Sequence, residues 1–146
     1  VRGLDSKLYL ENTVMLSDGT IEVSNKYGFF SITGPSSSMI SEDINITGEN
    51  IDGKFSTINE KKEIIKLNVK DKKISNIKTN DVDMYANKAI YDKKNSIIEL
   101  FENVKVIRGN EIITGDYGTL DTDTNSYKVK SNNSNKVKVI ITENNE

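Results

Sequence analysis

Short runs in which apolar and polar residues alternate recur along the chain, and turn residues separate them. Examples are Ile98-Glu99-Leu100, Val104-Lys105-Val106 and Tyr127-Lys128-Val129-Lys130. Alternation over about four to eight residues is typical of a strand with one buried face. No window shows the sustained apolar spacing that an amphipathic helix requires. The pattern predicts an all-β fold.

The composition supports the same prediction. The chain has 19 Ile and 10 Val but only 7 Leu and 2 Ala. Branched side chains favour strands, whereas Ala and Leu favour helices. Its 146 residues suffice for one domain. We expect residues 1–146 to form that single domain, either as a mature chain or as a trimmed piece of a longer one.

Several classes of chemistry are excluded by residue type. The absence of His and Cys removes the usual catalytic triads, zinc sites and iron–sulfur clusters. With 20 basic and 22 acidic residues, no overall field indicates nucleic-acid binding. No apolar run approaches the roughly 20 residues of a membrane helix. We expect no enzyme, cofactor or transmembrane segment, and a glycosidase that uses carboxylates alone is only a third hypothesis.

One acidic segment resembles the opening of a calcium loop, namely Asp121-Thr122-Asp123-Thr124-Asn125. Its sixth position is Ser126 rather than Gly, and its twelfth is Asn132 rather than Glu. The segment therefore predicts a turn whose side chains cap backbone groups, with no metal.

The alternating runs repeat as strand–turn–strand units. Ile58-Asn59-Glu60-Lys61 corresponds to Tyr91-Asp92-Lys93-Lys94, and a third unit runs from Leu120 into Tyr127. Such units cannot bury an apolar face alone, so they must stack. Two architectures fit: a β-solenoid, or a jelly-roll-like stack of antiparallel strands. Asp18-Gly19 and Gly109-Asn110 predict hairpin turns.

The segment from Ala89-Ile90-Tyr91-Asp92 through Ile97 to Val106 resembles the repeat of the OstA-like family. These are periplasmic lipopolysaccharide-transport proteins of the LptA and LptC kinds. The similarity continues through Ile112 to Gly118 and into the closing run Lys136 to Ile140. The segment Lys7 to Val14 is similar to a strand of the LptC type, so the choice between the two kinds stays open.

The resemblance implies a β-jelly-roll whose apolar groove carries the acyl chains of lipopolysaccharide between the inner and outer membranes. It implies a periplasmic location, with lipopolysaccharide, other Lpt components and further copies of the chain as partners. Residues expected to line the interior share an apolar side chain at an alternating position: Leu100, Val104, Val106, Ile113, Leu120, Val129, Val137, Val139 and Phe30.

The terminal strands are expected to join modules end to end, because unpaired strand edges can add another chain. The residues concerned are Leu8, Tyr9 and Leu10 in the first strand and Val137, Lys138 and Val139 in the last.

Several alternatives remain open from the sequence. A structural or adhesive β-solenoid with a closed core would use the same apolar residues. Phe30 is expected to be buried with Phe29 partly exposed, although both could line a groove mouth. Lys61-Lys62 and Lys93-Lys94 could meet lipid phosphates, but solvated turns are the favoured interpretation.

Overall fold

The computed structural model describes residues 1–10, 12–42, 44–131 and 137–141, without the side chain of Ile58. Thirteen strands join into one antiparallel sheet, and the described residues contain no helix. The strands are β1 Ser6–Leu10, β2 Thr13–Ser17, β3 Thr20–Ser24, β4 Phe29–Thr33, β5 Ser38–Ile40, β6 Ile44–Thr47, β7 Asn50–Ile58, β8 Lys61–Thr79, β9 Asp83–Asp92, β10 Ile97–Arg108, β11 Glu111–Asp121, β12 Tyr127–Lys130 and β13 Lys138–Ile141. The predicted all-β, jelly-roll-like architecture is confirmed, and the solenoid alternative is not observed.

The long strands β8 to β11 bend in the middle, so each belongs to two layers. The first half of β8 pairs with β7 and its second half with β6. Register shifts mark the bends, between Lys70 and Ser75 in β8 and between Phe101 and Lys105 in β10. The front layer holds β1, β2, β5, β6 and β13, the back layer holds β3, β4, β7 and β12, and the bent strands join the two.

The two layers meet along one edge, here called the closed edge. Buried serine side chains form hydrogen bonds there with backbone that passes from one layer to the other. Ser17 Oγ and Ser37 Oγ lie 2.9 Å apart, and Ser37 Oγ donates to Gly34 O at 2.7 Å. Ser75 Oγ donates to Ala86 O at the bend of β8. Buried polar groups cost little when they are hydrogen-bonded in this way.

The prediction of a hairpin at Asp18-Gly19 is wrong. β2 pairs with β1 and β5, whereas β3 pairs with β4, so the chain crosses between the layers at this point. A Cβ on Gly19 would lie 2.0 Å from Thr33 O, which shows that glycine is needed for close backbone approach. The hairpin at Gly109-Asn110 is confirmed by the pairing of Arg108 with Glu111.

The three strand–turn–strand units are confirmed as the hairpins β7–β8, β9–β10 and β11–β12. Their turns all lie at the end of the back layer opposite the closed edge. The turn after β11 is capped as expected, because Asp121 Oδ1 accepts from the amides of Asp123 and Thr124 at 2.8 and 3.1 Å. The described residues contain no group of three or more metal-ligating side chains.

One core lies between the layers and draws on both. Met15, Ile46 and Met84 of the front layer are buried with Phe30 and Ile51 of the back layer. Phe30 is buried and Phe29 is 40% exposed, as expected for alternating positions of β4. In the described part of the chain, no helix has the length and hydropathy to cross a membrane.

Candidate binding cleft between the two layers

The interior opens to solvent along the edge opposite the closed edge, here called the mouth. A cleft of about 640 Å³ enters there, which is within the usual range for ligand sites. The apolar residues that line it come from both layers: Leu10, Met15 and Ile44 in the front layer, and Phe30, Phe55, Ile64, Leu67, Tyr91, Ile98 and Leu120 in the back layer.

A bulge in β8 aims two of these side chains into the cleft. Lys54 pairs with Lys66 and Phe55 pairs with Ile64, so Ile65 is an extra residue in β8. Side chains alternate along a regular strand, and Ile64 and Leu67 would then face opposite sides. The extra residue brings both to the same wall. In the sequence, the consecutive pair Ile64-Ile65 marks this position, although a regular strand can contain the same pair.

The predicted interior residues fall into four groups. Leu120 and Phe30 are buried and line the cleft. Leu100, Val104 and Val106 are buried elsewhere in the core, and Ile113 and Val129 are half-buried.

The last two predicted interior residues, Val137 and Val139, are 41% and 52% exposed and so do not face the buried interior. The reason is their position at the end of the front layer. β13 pairs with β11 through residues 138–141, and no other described strand pairs with it.

Polar side chains form two lips at the mouth, each at the end of one layer. The back lip contains Lys61, Lys62 and Glu63, at the start of β8, and Lys93, in the turn after β9. The front lip contains Glu42 and Asp81, from the turns before β6 and before β9.

Three side chains of the back lip, Lys62, Lys93 and Glu63, have defined partners. Lys62 Nζ donates to Asn25 Oδ1 at 2.7 Å and lies 5.4 Å from the centroid of the Phe55 ring. Lys93 Nζ forms an ion pair with Glu63 Oε2.

Three hydrogen bonds cross the mouth near the C-terminal end of the stack. Asn125 Nδ2 donates to Asp81 Oδ2 at 3.1 Å, and Arg108 Nη1 donates to Asn125 O at 3.0 Å. Tyr127 OH donates to a carboxylate oxygen of Glu111. Burial, the hydrogen bond to Glu111 and the charge of that carboxylate raise the pKa of Tyr127 to about 12, and Arg108 partly opposes the shift.

The two ends of the stack carry the predicted pairing residues. Among the described strands, β1 pairs only with β2, and Tyr9 at its centre is strongly exposed while Leu8 and Leu10 pack partly against the core. At the other end, Lys138 pairs with Thr114, and all four residues of β13 are exposed. Lys136 and Thr142 lie outside the described residues.

Fold and cleft together define an open β-jelly-roll with an apolar interior that reaches solvent along one edge. The chain belongs to the family described as the LptA/(LptD N-terminal domain) LPS transport protein, whose model matches residues 20–126. This confirms the predicted family and places the chain among transport proteins rather than enzymes. A search of curated proteins finds no match.

A solved structure supports the fold. The chain is similar to LptH from Pseudomonas aeruginosa, described as the LptA homologous periplasmic component of the conserved lipopolysaccharide transport device. The two share 15% identity with a TM-score of 0.72, over 90% of this chain and 95% of that one.

Proposed function

We propose that this protein binds the acyl chains of lipopolysaccharide in the cleft and carries them through the periplasm between the inner and outer membranes. The observation that supports this most directly is the cleft of about 640 Å³, which has apolar side chains of both layers on its walls and polar side chains at its open mouth. Membership of a lipopolysaccharide-transport family supplies the class of ligand.

The physical basis of binding is the removal of apolar surface from water. Burial of alkyl chains is favourable by about 25 cal/mol per Å² of apolar surface. Met15, Phe55, Ile64 and Leu67 offer alkyl chains an apolar wall with no reactive group, and the family of the chain is one of transport proteins. Such a carrier is passive, and the free energy for directional transport must come from another component.

Photo-crosslinking groups placed along the interior test this function. Ile64 and Leu120 line the cleft, and Ile64 is only half-buried, so a substitution there is tolerated more readily. We expect lipopolysaccharide to be trapped from both positions. Ile74 is 40% exposed near the bend of β8 and is the matched apolar control, from which no product is expected. Equal labelling from all three positions, or labelling from Ile74 alone, would contradict the proposal.

We further propose that copies of this chain, or this chain and other Lpt components, associate end to end through β1 and β13. Two observations support it: each of these strands pairs on one side only among the described strands, and Val139, Ile140 and Ile141 are exposed. An unpaired strand edge offers backbone donors and acceptors to an added strand. Joining the ends would also cover apolar side chains that a single copy leaves in water.

A further inference from the structure

The two lips of the mouth carry opposite charge. Lys61, Lys62 and Lys93 stand with one acidic residue, Glu63, on the back lip, whereas the charged residues of the front lip among the cleft's lining are Glu42 and Asp81. An anionic group at the mouth is therefore attracted to the back lip and repelled by the front lip.

The back lip places its ammonium groups directly beside apolar surface. The hydrogen bond to Asn25 holds Lys62 over the ring of Phe55, and that ring lines the cleft. Tyr91, which also lines the cleft, has its pKa raised by burial; the positive charge of Lys93 opposes that shift, and the carboxylates of Glu63, Asp123 and Asp92 add to it. The same lip thus borders the apolar cleft and carries charge within reach of it.

We propose that the back lip is a subsite for the anionic, phosphate-type head group of an amphiphile whose alkyl chains lie in the cleft. This rests on the proposed function, since the cleft must first accept the chains. Lys61 and Lys62 hold the anion, because an ammonium pairs with phosphate as a compact charge with three donors. Lys93 contributes less because it forms an ion pair with Glu63.

The front lip gives the bound amphiphile an orientation. Glu42 and Asp81 face the same opening and disfavour a phosphate there. The head group is thereby kept at the start of β8 and the turn after β9, with its chains directed between the layers toward Ile98 and Leu120.

Two amphiphiles with the same alkyl chain test the subsite: dodecyl phosphate and the neutral dodecyl maltoside, both below their micelle concentrations. We expect wild-type protein to bind dodecyl phosphate about three- to fivefold more tightly at low salt, as partly exposed ion pairs allow. The preference should shrink at high ionic strength, because salt screens exposed charges. Affinities are measured by displacement of a fluorescent fatty-acid probe.

Charge-matched variants assign the preference to particular residues. Lys61→Gln with Lys62→Gln should abolish the preference, because dodecyl phosphate then loses more affinity than the maltoside does. Lys72→Gln with Lys73→Gln removes the same charge from exposed positions near the closed edge, and should keep the preference. Glu63→Gln should increase it, because Lys93 then loses its carboxylate partner.

The outcomes distinguish a failure of the subsite proposal from a failure of the proposed function. The subsite proposal is wrong if wild-type protein binds both amphiphiles equally, or if the variant without Lys61 and Lys62 keeps the preference. Either result leaves the proposal of acyl-chain binding intact. If neither amphiphile binds, the proposed function fails, and the subsite with it. Inorganic phosphate should compete weakly with dodecyl phosphate and not with the maltoside. Binding of inorganic phosphate as tight as that of dodecyl phosphate would mean a free-anion site and would overturn the proposal.

Discussion

Tyr127 of the back layer donates a hydrogen bond to Glu111 of the front layer, so one side chain from each layer meets across the mouth of the cleft. The Arg108 guanidinium lies 5.9 Å from the centroid of the Tyr127 ring and also donates across the mouth to Asn125 O. The layers are therefore joined at two edges near the C-terminal end: by bent strands at the closed edge, and by side chains at the mouth.

This contact predicts a specific loss of stability at high pH. Tyrosine in the unfolded chain ionises near pH 10, whereas the folded chain holds the Tyr127 proton until about pH 12. Below pH 10 the contribution is complete. Between pH 10 and 12, deprotonation favours the unfolded chain and the free energy of unfolding falls. We expect a loss of about 1–2 kcal/mol from this residue after allowance for solvent screening.

Urea unfolding of wild type and Tyr127→Phe from pH 7 to 12 measures the effect. The phenylalanine variant should be less stable at pH 7, by about 0.5–1.5 kcal/mol for the lost hydrogen bond, and the difference should disappear at high pH. Tyr85, Tyr91 and Tyr117 also have raised pKa values, but they titrate in both proteins and cancel in the comparison. Parallel stability curves for the two proteins would show that Tyr127 is not the source.

The close approach at Gly19 predicts a large cost for a single methyl group. A Cβ there would lie 2.0 Å from Thr33 O and 2.9 Å from the Cα of Gly34, and all of these are backbone atoms that cannot turn aside. Gly19→Ala should lower the free energy of unfolding by about 2–4 kcal/mol, since the crossing between layers must shift.

Gly109→Ala is the matched control, because Gly109 is also in a turn but a Cβ added there would meet no atom within 4 Å. Its φ of +57° makes alanine mildly strained, at about 1 kcal/mol. Thermal unfolding of both variants checks that Gly19→Ala is the more destabilising of the two. Similar losses in the two would mean that backbone conformation, rather than close approach, sets the cost at Gly19.

The alternating pattern was sufficient to predict strands and their stacking, because period-two spacing directly encodes which face of a strand is buried. It was insufficient in two places. Alternation in Val137 and Val139 shows that one face of the strand is apolar, but burial depends on whether another element covers that face. The direction of Ile64 and Leu67 depends on the bulge at Ile65, and two consecutive apolar residues fit either a bulge or a regular strand.

The alternating pattern did not separate the residues that line the cleft from those of the closed core. Leu100, Val104 and Val106 follow the same alternation as Leu120, yet only Leu120 reaches the cleft. The distinction is one of distance from the bend: residues near the closed edge pack between converging layers, whereas residues near the turns face layers that have spread apart. No local pattern reports that distance.

Core and cleft residues should therefore respond differently to truncation. Leu100 is fully buried in the core, so Leu100→Ala should cost about 2–5 kcal/mol of stability through lost burial and a cavity. Ile64 is half-buried in the cleft wall, so Ile64→Ala should cost about 1 kcal/mol but should weaken binding of dodecyl maltoside. Urea unfolding and displacement titrations on both variants give the comparison. Equal stability losses with unchanged binding would place Ile64 in the closed core.

Assembly through the ends of the stack should be sensitive to charge on β13. Val139 and Ile141 are 52% and 69% exposed, so lysine at either position leaves the folded chain intact. The added charge disfavours the pairing of another strand with this edge. Size measured by light scattering should rise with concentration for wild type and stay at one copy for Val139→Lys with Ile141→Lys. Lys138→Pro should also prevent association, because proline removes a backbone donor.

Ile74→Lys adds the same charge at an exposed apolar position away from both ends, and its concentration dependence should match that of wild type. Tyr9→Lys tests the opposite end, since Tyr9 is 71% exposed on β1. If β1 and β13 join each other, a mixture of the Tyr9 variant with the β13 variant should form pairs that neither forms alone, because each retains one intact end. Continued association of the β13 variant by itself would rule out this strand as the joining edge.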